Sequence, residues 1–187
     1  LGQNNREIDG YILPGHVSVI IGEEAYRPLA DEMQTPMVIA GFSGEHILLA
    51  VYDLVKQIQQ GKYQVHNLYP SVVTAKGNTL IQEQVERYFN PGPVAWRGLG
   101  TIAGSGLLLR DEYGHYAAQA EELVPQTADL DMPDSCSCGD ILLGRVSPAD
   151  CPLYGTACTP DTPKGPCMIS LEGACGIWYR YGGKRNG

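Results

Sequence analysis

Pro36-Met37-Val38-Ile39-Ala40-Gly41-Phe42-Ser43-Gly44-Glu45-His46 is the stretch whose reading decides the fold. Met37–Ala40 is four apolar residues between a proline and a glycine, the pattern of a strand covered on both faces. Ser43 then offers an N-cap oxygen, and Glu45 places a carboxylate where the helix dipole favours one. Ile47, Leu48, Val51, Leu54, Val55 and Ile58 recur at helical spacing before Gly61. A helix is predicted between Ser43 and Gly61, with that stripe facing the core.

The same alternation extends in both directions. Tyr11-Ile12-Leu13, stopped by Pro14-Gly15, reads as a strand. Val17, Ile20 and Ile21 suit the first turns of a helix, which Gly22 and Pro28 divide from a second one around Tyr26–Met33. Tyr63–Tyr69 reads as a third strand, and Asn78 caps a helix through Tyr88 whose Leu80, Ile81, Val85 and Tyr88 are expected to face inward. Strand and helix in strict alternation predict an α/β domain with a parallel sheet. Asn90-Pro91-Gly92-Pro93 breaks the pattern, Trp96–Gly100 reads as a glycine-rich loop and Ile102–Leu109 as one more strand. A helix is expected over Glu112–Leu123. Thr127–Asp134 is the expected linker, dividing the chain into an α/β domain over 1–130 and a cysteine-rich, mostly helical and loop module over 131–187.

Charge follows that division. Residues 1–130 carry 8 Lys/Arg against 15 Asp/Glu and residues 131–187 carry 5 against 6, so nearly all of the net −8 lies in the first part. An acidic chain with no basic stripe argues against nucleic acid, which is bound by neutralising phosphates. No apolar run approaches the roughly 20 residues that span a bilayer. Leu1–Asp9 is polar and charged, unlike a signal peptide, so the cytoplasm is the expected compartment and the chain, lacking an initial Met, reads as a fragment or processed product.

All six cysteines lie in the last third, as Cys136-x-Cys138, Cys151, Cys158, Cys167 and Cys175. Three disulfides have 15 possible connectivities, but such scaffolds belong to secreted domains. Zinc modules use paired Cys-x2-4-Cys knuckles, and only one close pair occurs here, followed by gaps of 12, 6, 8 and 7 residues. An iron–sulfur cubane tolerates irregular spacing because each iron corner is reached by a different loop. Four ligands leave two thiols, which suit a reversible disulfide. Spacing favours the cluster and leaves zinc and disulfides as rivals, together with a free-standing thiol reductase. Elsewhere, His16 follows a strand and a Pro-Gly turn, at the carboxyl end of the sheet where α/β folds place their sites. His46, His66 and His115 read as structural. Gly98-x-Gly100 and Gly104-x-Gly106 match neither a dinucleotide fingerprint nor a P-loop.

Longer motifs carry a resemblance. Cys136-Ser-Cys138-Gly-Asp-Ile-Leu, Cys151-Pro-Leu-Tyr-Gly-Thr-Ala-Cys158-Thr-Pro and Gly165-Pro-Cys167-Met-Ile-Ser-Leu-Glu172-Gly-Ala-Cys175 resemble the C-terminal signature of the HypD family of [NiFe]-hydrogenase maturation proteins. Asp9–Gly22, Trp96-Arg-Gly-Leu-Gly100 and Ser105-Gly-Leu match the family as well, so the resemblance runs nearly end to end. It implies a [4Fe–4S] protein that works with HypC and HypE to assemble an Fe(CN)2CO centre, and a disulfide beside the cluster as in ferredoxin:thioredoxin reductase. It implies Cys136, Cys151, Cys158 and Cys175 as ligands, in a partition that leaves Cys167 and Cys175 exchangeable, and Cys138 with Cys167 as the redox pair. Glu172 becomes a candidate for proton handling or partner contact, and His16 for the cleft. Gly41-Phe42-Ser43-Gly44 stands where the family has Gly-Phe-Glu-Pro, and Asn67–Ser71 lacks an arginine the family carries near Ser71. The family's N-terminal half, with the iron-holding cysteine and a Cys-x-x-Cys pair, has no counterpart here.

Overall fold

The computed structural model describes residues 8–96, 98–117 and 132–182. The chain falls into two compact units, residues 1–88 and 89–187. The first begins with β1 (Tyr11–Pro14), α1 (Gly15–Ile21), a 3-10 turn at Glu24–Tyr26, α2 (Arg27–Met33) and β2 (Met37–Ala40). It continues with α3 (Gly44–Gln60), β3 (Val65–Asn67) and α4 (Thr79–Tyr88). The three strands form a parallel sheet in the order β1-β2-β3, with Leu13 opposite Ile39 and Val38 opposite His66. The expected parallel α/β domain is therefore present.

The central strand explains why a continuous apolar run was needed. Met37 and Ile39 pack with Tyr26, Ala30, Met33 and Val73 on one face, whereas Val38 and Ala40 pack with Ala50 and Leu54 of α3 on the other. Both faces are covered, as parallel strands require. The Ser43 hydroxyl accepts the His46 N–H at the start of α3, and Gly61 closes the helix in the left-handed region at φ 61°.

The buried face of α3 differs from the expected stripe. Ala50, Leu54 and Gln57 are buried, while Ile47, Val51, Val55 and Ile58 are exposed and Leu48 is 72% exposed. Two features set this rotation. The small side chain of Ala50 lets the helix approach β2. Gln57 also has every reason to point inward, since its Nε2 donates to Asp53 Oδ2 at 2.9 Å and its Oε1 accepts the Gln64 N–H at 3.0 Å. A polar side chain with satisfied partners is buried without the usual penalty. In α4 no residue is buried, and Leu80 and Ile81 are exposed, against expectation. That helix is tied down through polar groups instead: Asn78 Oδ1 caps the Ile81 N–H, and Gln82 Nε2 donates to Ile20 O at 2.6 Å.

The second unit opens with β4 (Phe89–Trp96) and β5 (Gly100–Leu109), an antiparallel ribbon. The Asn-Pro-Gly-Pro run thus lies inside a strand, contrary to its reading as a break. A two-stranded ribbon gives each strand an unpaired edge where a proline loses no ladder bond, and the register shifts between Gly92 and Val94 at Pro93. A 3-10 turn covers Asp111–Tyr116 in place of the start of the expected helix; the rest of that helix and most of the expected 127–134 linker lie outside the described residues. The unit ends in α5 (Cys138–Leu142), a 3-10 turn at Pro148–Asp150, α6 (Pro166–Ile169) and α7 (Ala174–Tyr181). The division after Tyr88 groups the ribbon with the cysteine-rich segment. Among the described residues, no helix is long and apolar enough to cross a membrane.

Candidate cysteine site and its relatives

The cysteines form the core of the second unit. Cys138, Cys151, Cys158, Cys167 and Cys175 are buried in one cluster with Ile141, Tyr154 and Met168, and the half-buried Cys136 packs against it. All six are free thiols. Short elements deliver them one at a time. Cys138 opens α5 and is wholly buried, and Cys136 is held by its N–H to Pro133 O at 2.8 Å. The segment from Cys151 to Cys158 doubles back on itself: Cys158 N–H donates to Leu153 O at 2.8 Å and Gly155 N–H to Cys158 O at 3.0 Å. Cys167 sits in α6 and Cys175 in the first turn of α7, and their sulfurs are 3.2 Å apart.

Space around the sulfurs is reserved by glycines. A Cβ on Gly165 would stand 2.9 Å from Cys136 Sγ and 3.3 Å from Cys138 Cβ, well inside ordinary contact. Gly173 lets its turn lie against the Cys167 backbone, and a Cβ there would meet Cys167 O. At the ribbon's loop, Gly98 has φ 82° and packs over Cys138 and Gly139; a Cβ on Gly139 would collide with Gly98 O. Gly98 and Leu99 therefore belong to the wall of the cysteine core. Composition gave no signal of this, because a contact between a hairpin loop and a distant helix start has no periodicity.

Polar groups reach several sulfurs. The Lys164 N–H donates to Cys158 Sγ at 3.3 Å. Desolvation raises the Cys151 thiol pKa, but donors from the Ser137 amide, the Leu153 amide, the Ser137 hydroxyl and the Tyr154 amide outweigh it and leave the thiol below its ordinary value. Cys136 and Cys175 go the other way. Burial pushes the Cys136 thiol up, opposed by the Cys138 N–H and reinforced by the charges of Cys138, Cys151 and Cys158. Burial likewise raises Cys175, opposed by its contact with Cys167 and reinforced by the same three cysteines. The sulfurs thus feel one another electrostatically from four different chain segments.

The donor set fits a cluster in its chemistry: soft thiolates, dry surroundings and backbone N–H groups on sulfur are what iron–sulfur sites use. Among the described residues, no three His, Cys, Asp or Glu side chains gather around a single metal position. A cubane does not require such convergence, because its four irons are ligated separately.

The remaining candidates are Glu172, in the second unit, and His16, in the first. Glu172 is exposed in the turn before α7, where its N–H donates to Ser170 Oγ at 3.1 Å. His16, exposed on α1, stacks on Phe42 with ring centroids 5.3 Å apart. His16 and Phe42 line a mainly apolar pocket of about 380 Å³ with Gly15, Gly41, Tyr69 and Val72. Gly15 and Gly41 directly follow β1 and β2, so the pocket lies at the carboxyl ends of the strands. The other histidines have partners that sequence could not supply: His46 Nδ1 accepts the Gly41 N–H at 3.2 Å, and His66 Nδ1 meets Asp53 Oδ2 at 2.6 Å.

Comparison with known proteins agrees with the motifs. The family model described as "HypD: Hydrogenase formation hypA family" matches residues 1–182. A hydrogenase maturation factor HypD of Rhizobium leguminosarum bv. viciae is 44% identical over 177 residues, covering 94% of this chain and 46% of the relative. A hydrogenase expression/formation protein HupD of Azotobacter chroococcum is 41% identical over 180 residues, 96% of this chain and 47% of the relative. The HypD of Rhodobacter capsulatus is 37% identical over 182 residues, 95% and 48%. The chain spans about half the length of the curated relatives it matches. On this match, it belongs to the HypD hydrogenase formation family.

Proposed function

We propose that this chain is the cluster-bearing part of a hydrogenase maturation factor. The observation that carries the reading is the single buried core into which five free cysteines, with Cys136 against them, are gathered. Cys136, Cys151, Cys158 and Cys175 are the proposed ligands of a [4Fe–4S] cluster. When bound, the cluster supplies one-electron transfer. Cys138 and Cys167 are the proposed redox pair, cycling between a disulfide and two thiols. Each reduction takes up two electrons and two protons and breaks the S–S bond, the electrons coming from an external low-potential one-electron donor. The exposed Glu172 carboxylate, five residues after Cys167 and three before Cys175, is suited to carry those protons or to meet a partner. His16 is proposed as the polar group of the strand-end pocket.

The relatives' names and the family support the setting: assembly of a hydrogenase centre, with HypC and HypE as proposed partners, the Fe(CN)2CO unit as cargo of the complete protein, and the cytoplasm as the compartment. One observation favours a second partition. The 3.2 Å contact joins Cys167 to Cys175, so Cys175 can replace Cys138 as the partner of Cys167. A zinc-stabilised interaction module is the rival chemistry. Anaerobic purification followed by iron, sulfide and zinc analysis decides between them. About four irons and four sulfides per chain, with the EPR signal of a reduced cluster, are expected for a cubane. Stoichiometric zinc without sulfide refutes the cluster. Retention of the cluster in Cys175→Ser together with its loss in Cys138→Ser transfers the ligand role to Cys138.

A further inference from the structure

Helix α3 carries more apolar surface than its own sheet covers. Ala50, Leu54 and Gln57 are the residues it buries, the first two against Val38 and Ala40 of β2. Leu48, Val51, Val55 and Ile58 are all exposed. They follow one another at spacings of three, four and three residues, the a-d-a-d pattern of a heptad seam. At about 100° per residue, this seam is centred about 110° around the helix from the buried face, so it is a second face and not the fringe of the first. It is about 15 Å long, and no charged residue interrupts it. An apolar stripe of this kind on a helix marks a surface built to be covered.

Two features specify the cover. The seam is its own complement: turned end for end about a two-fold axis level with Asp53, Leu48 falls opposite Ile58 of a second copy and Val51 opposite Val55. The ends agree in charge as well. Glu45 flanks the seam just before Leu48, Lys62 lies just past its far end, and among the described residues neither enters an ion pair. In the antiparallel pair Glu45 of each copy stands within about 1.5 Å, along the axis, of the level of Lys62 of the other. A parallel pair would set like charges side by side, and would also align the two helix dipoles instead of opposing them.

We propose that the outward seam of α3 is a docking surface for a second copy of this chain, the two helices packing antiparallel about a two-fold axis. Such a surface is isologous, so each contact between the copies occurs twice. The seam contains none of the cysteines, and the inference stands independently of the cluster.

The test is sedimentation velocity of the natural chain, kept reduced so that no intermolecular disulfide forms. A seam this short makes a weak pair, so the weight-average mass should rise from one chain toward two between about 1 and 100 µM. Val51→Glu and Val55→Lys each place a charge in the seam and should raise the dissociation constant at least about tenfold. Both positions are exposed in the single chain, so the circular dichroism of each variant should match that of the natural chain. Mixing the two variants should restore association, because antiparallel packing sets the introduced carboxylate of one against the introduced ammonium of the other. A natural chain that stays monomeric at about 100 µM refutes the proposal and leaves the seam to the part of the family protein that this chain does not span. Variants that associate as the natural chain does refute the seam as the contact. Folded, monomeric variants that remain monomeric when mixed refute the antiparallel two-fold.

Discussion

Adding one methyl group at Gly165 should disable the cysteine core. Gly165 has φ −106° and ψ 153°, extended backbone open to any residue, so no conformational penalty attends the change. The cost is space alone. The new carbon would lie 2.9 Å from Cys136 Sγ and 3.3 Å from Met132 Cε, where ordinary contacts begin at about 3.5 Å. Cys136 or the turn before α6 must move by roughly half an ångström or more to relieve the contact. Overpacking of this kind costs about 1–3 kcal/mol. At about 4–8 °C per kcal/mol for a unit of this size, the melting temperature of the reduced, metal-free chain should fall by at least about 4 °C. Gly114→Ala is the matched control, since a Cβ there meets nothing within 4 Å. Differential scanning calorimetry and anaerobic iron loading measure both consequences. A Gly165→Ala chain that melts with the control and loads as much iron would refute the placement of Cys136 against Gly165.

Three further outcomes follow from the packing and the thiols. Gln57→Ala strips a buried amide from Asp53 and leaves the Gln64 N–H without its acceptor, so urea denaturation should show a loss of about 1–3 kcal/mol. Gly77→Ala should be worse than an ordinary surface change: φ is 68°, and the Cβ would strike Ile20 O and stand 2.5 Å from the Gly22 nitrogen. A melting temperature equal to the natural chain's would sink that argument. In the reduced, metal-free chain, Cys136 and Cys175 have raised pKa values, chiefly from burial. Their unfolded counterparts release protons first, near the ordinary thiol value of 9.0, so the folded state binds more protons and its stability falls as pH rises above about 9. Cys151 is lowered and acts in the opposite sense below that pH. Denaturation midpoints at pH 7.5 and 10 should differ less in the Cys136→Ser, Cys175→Ser double variant than in the natural chain.

What sequence made legible in the fold was what short-range physics decides. Met37–Ala40 needs no context to be read as a doubly covered strand, and Ser43 with Gly61 fixes the two ends of α3 through a cap and a left-handed residue. The facing of that helix was not legible. Its apolar positions outnumber what one helix face can bury, and the choice among them was made by Ala50 and by the partners of Gln57, which lie in another loop. The ribbon was hidden by Pro91 and Pro93, which weigh against a strand everywhere except at an unpaired edge.

The candidate site divides along the same line. Thiol content and motif pointed to the cysteines as the candidate residues, but what tunes each thiol depends on neighbours that spacing does not encode. Cys151 and Cys175 are both buried cysteines, with 5% and 4% exposure, so desolvation acts on both in one direction. They nevertheless shift oppositely, because Cys151 receives donors from Ser137, Leu153 and Tyr154 whereas Cys175 faces another sulfur. Burial therefore does not distinguish the thiols in this core; hydrogen-bond supply does. One sulfur is surrounded by donors that favour its charged form and another is held against a second thiol, and that second contact, between Cys167 and Cys175, is the one that favours the alternative partition proposed above. The division of roles among the six cysteines then reduces to which sulfurs receive donors and which touch each other, and the individual Cys→Ser variants read that division directly.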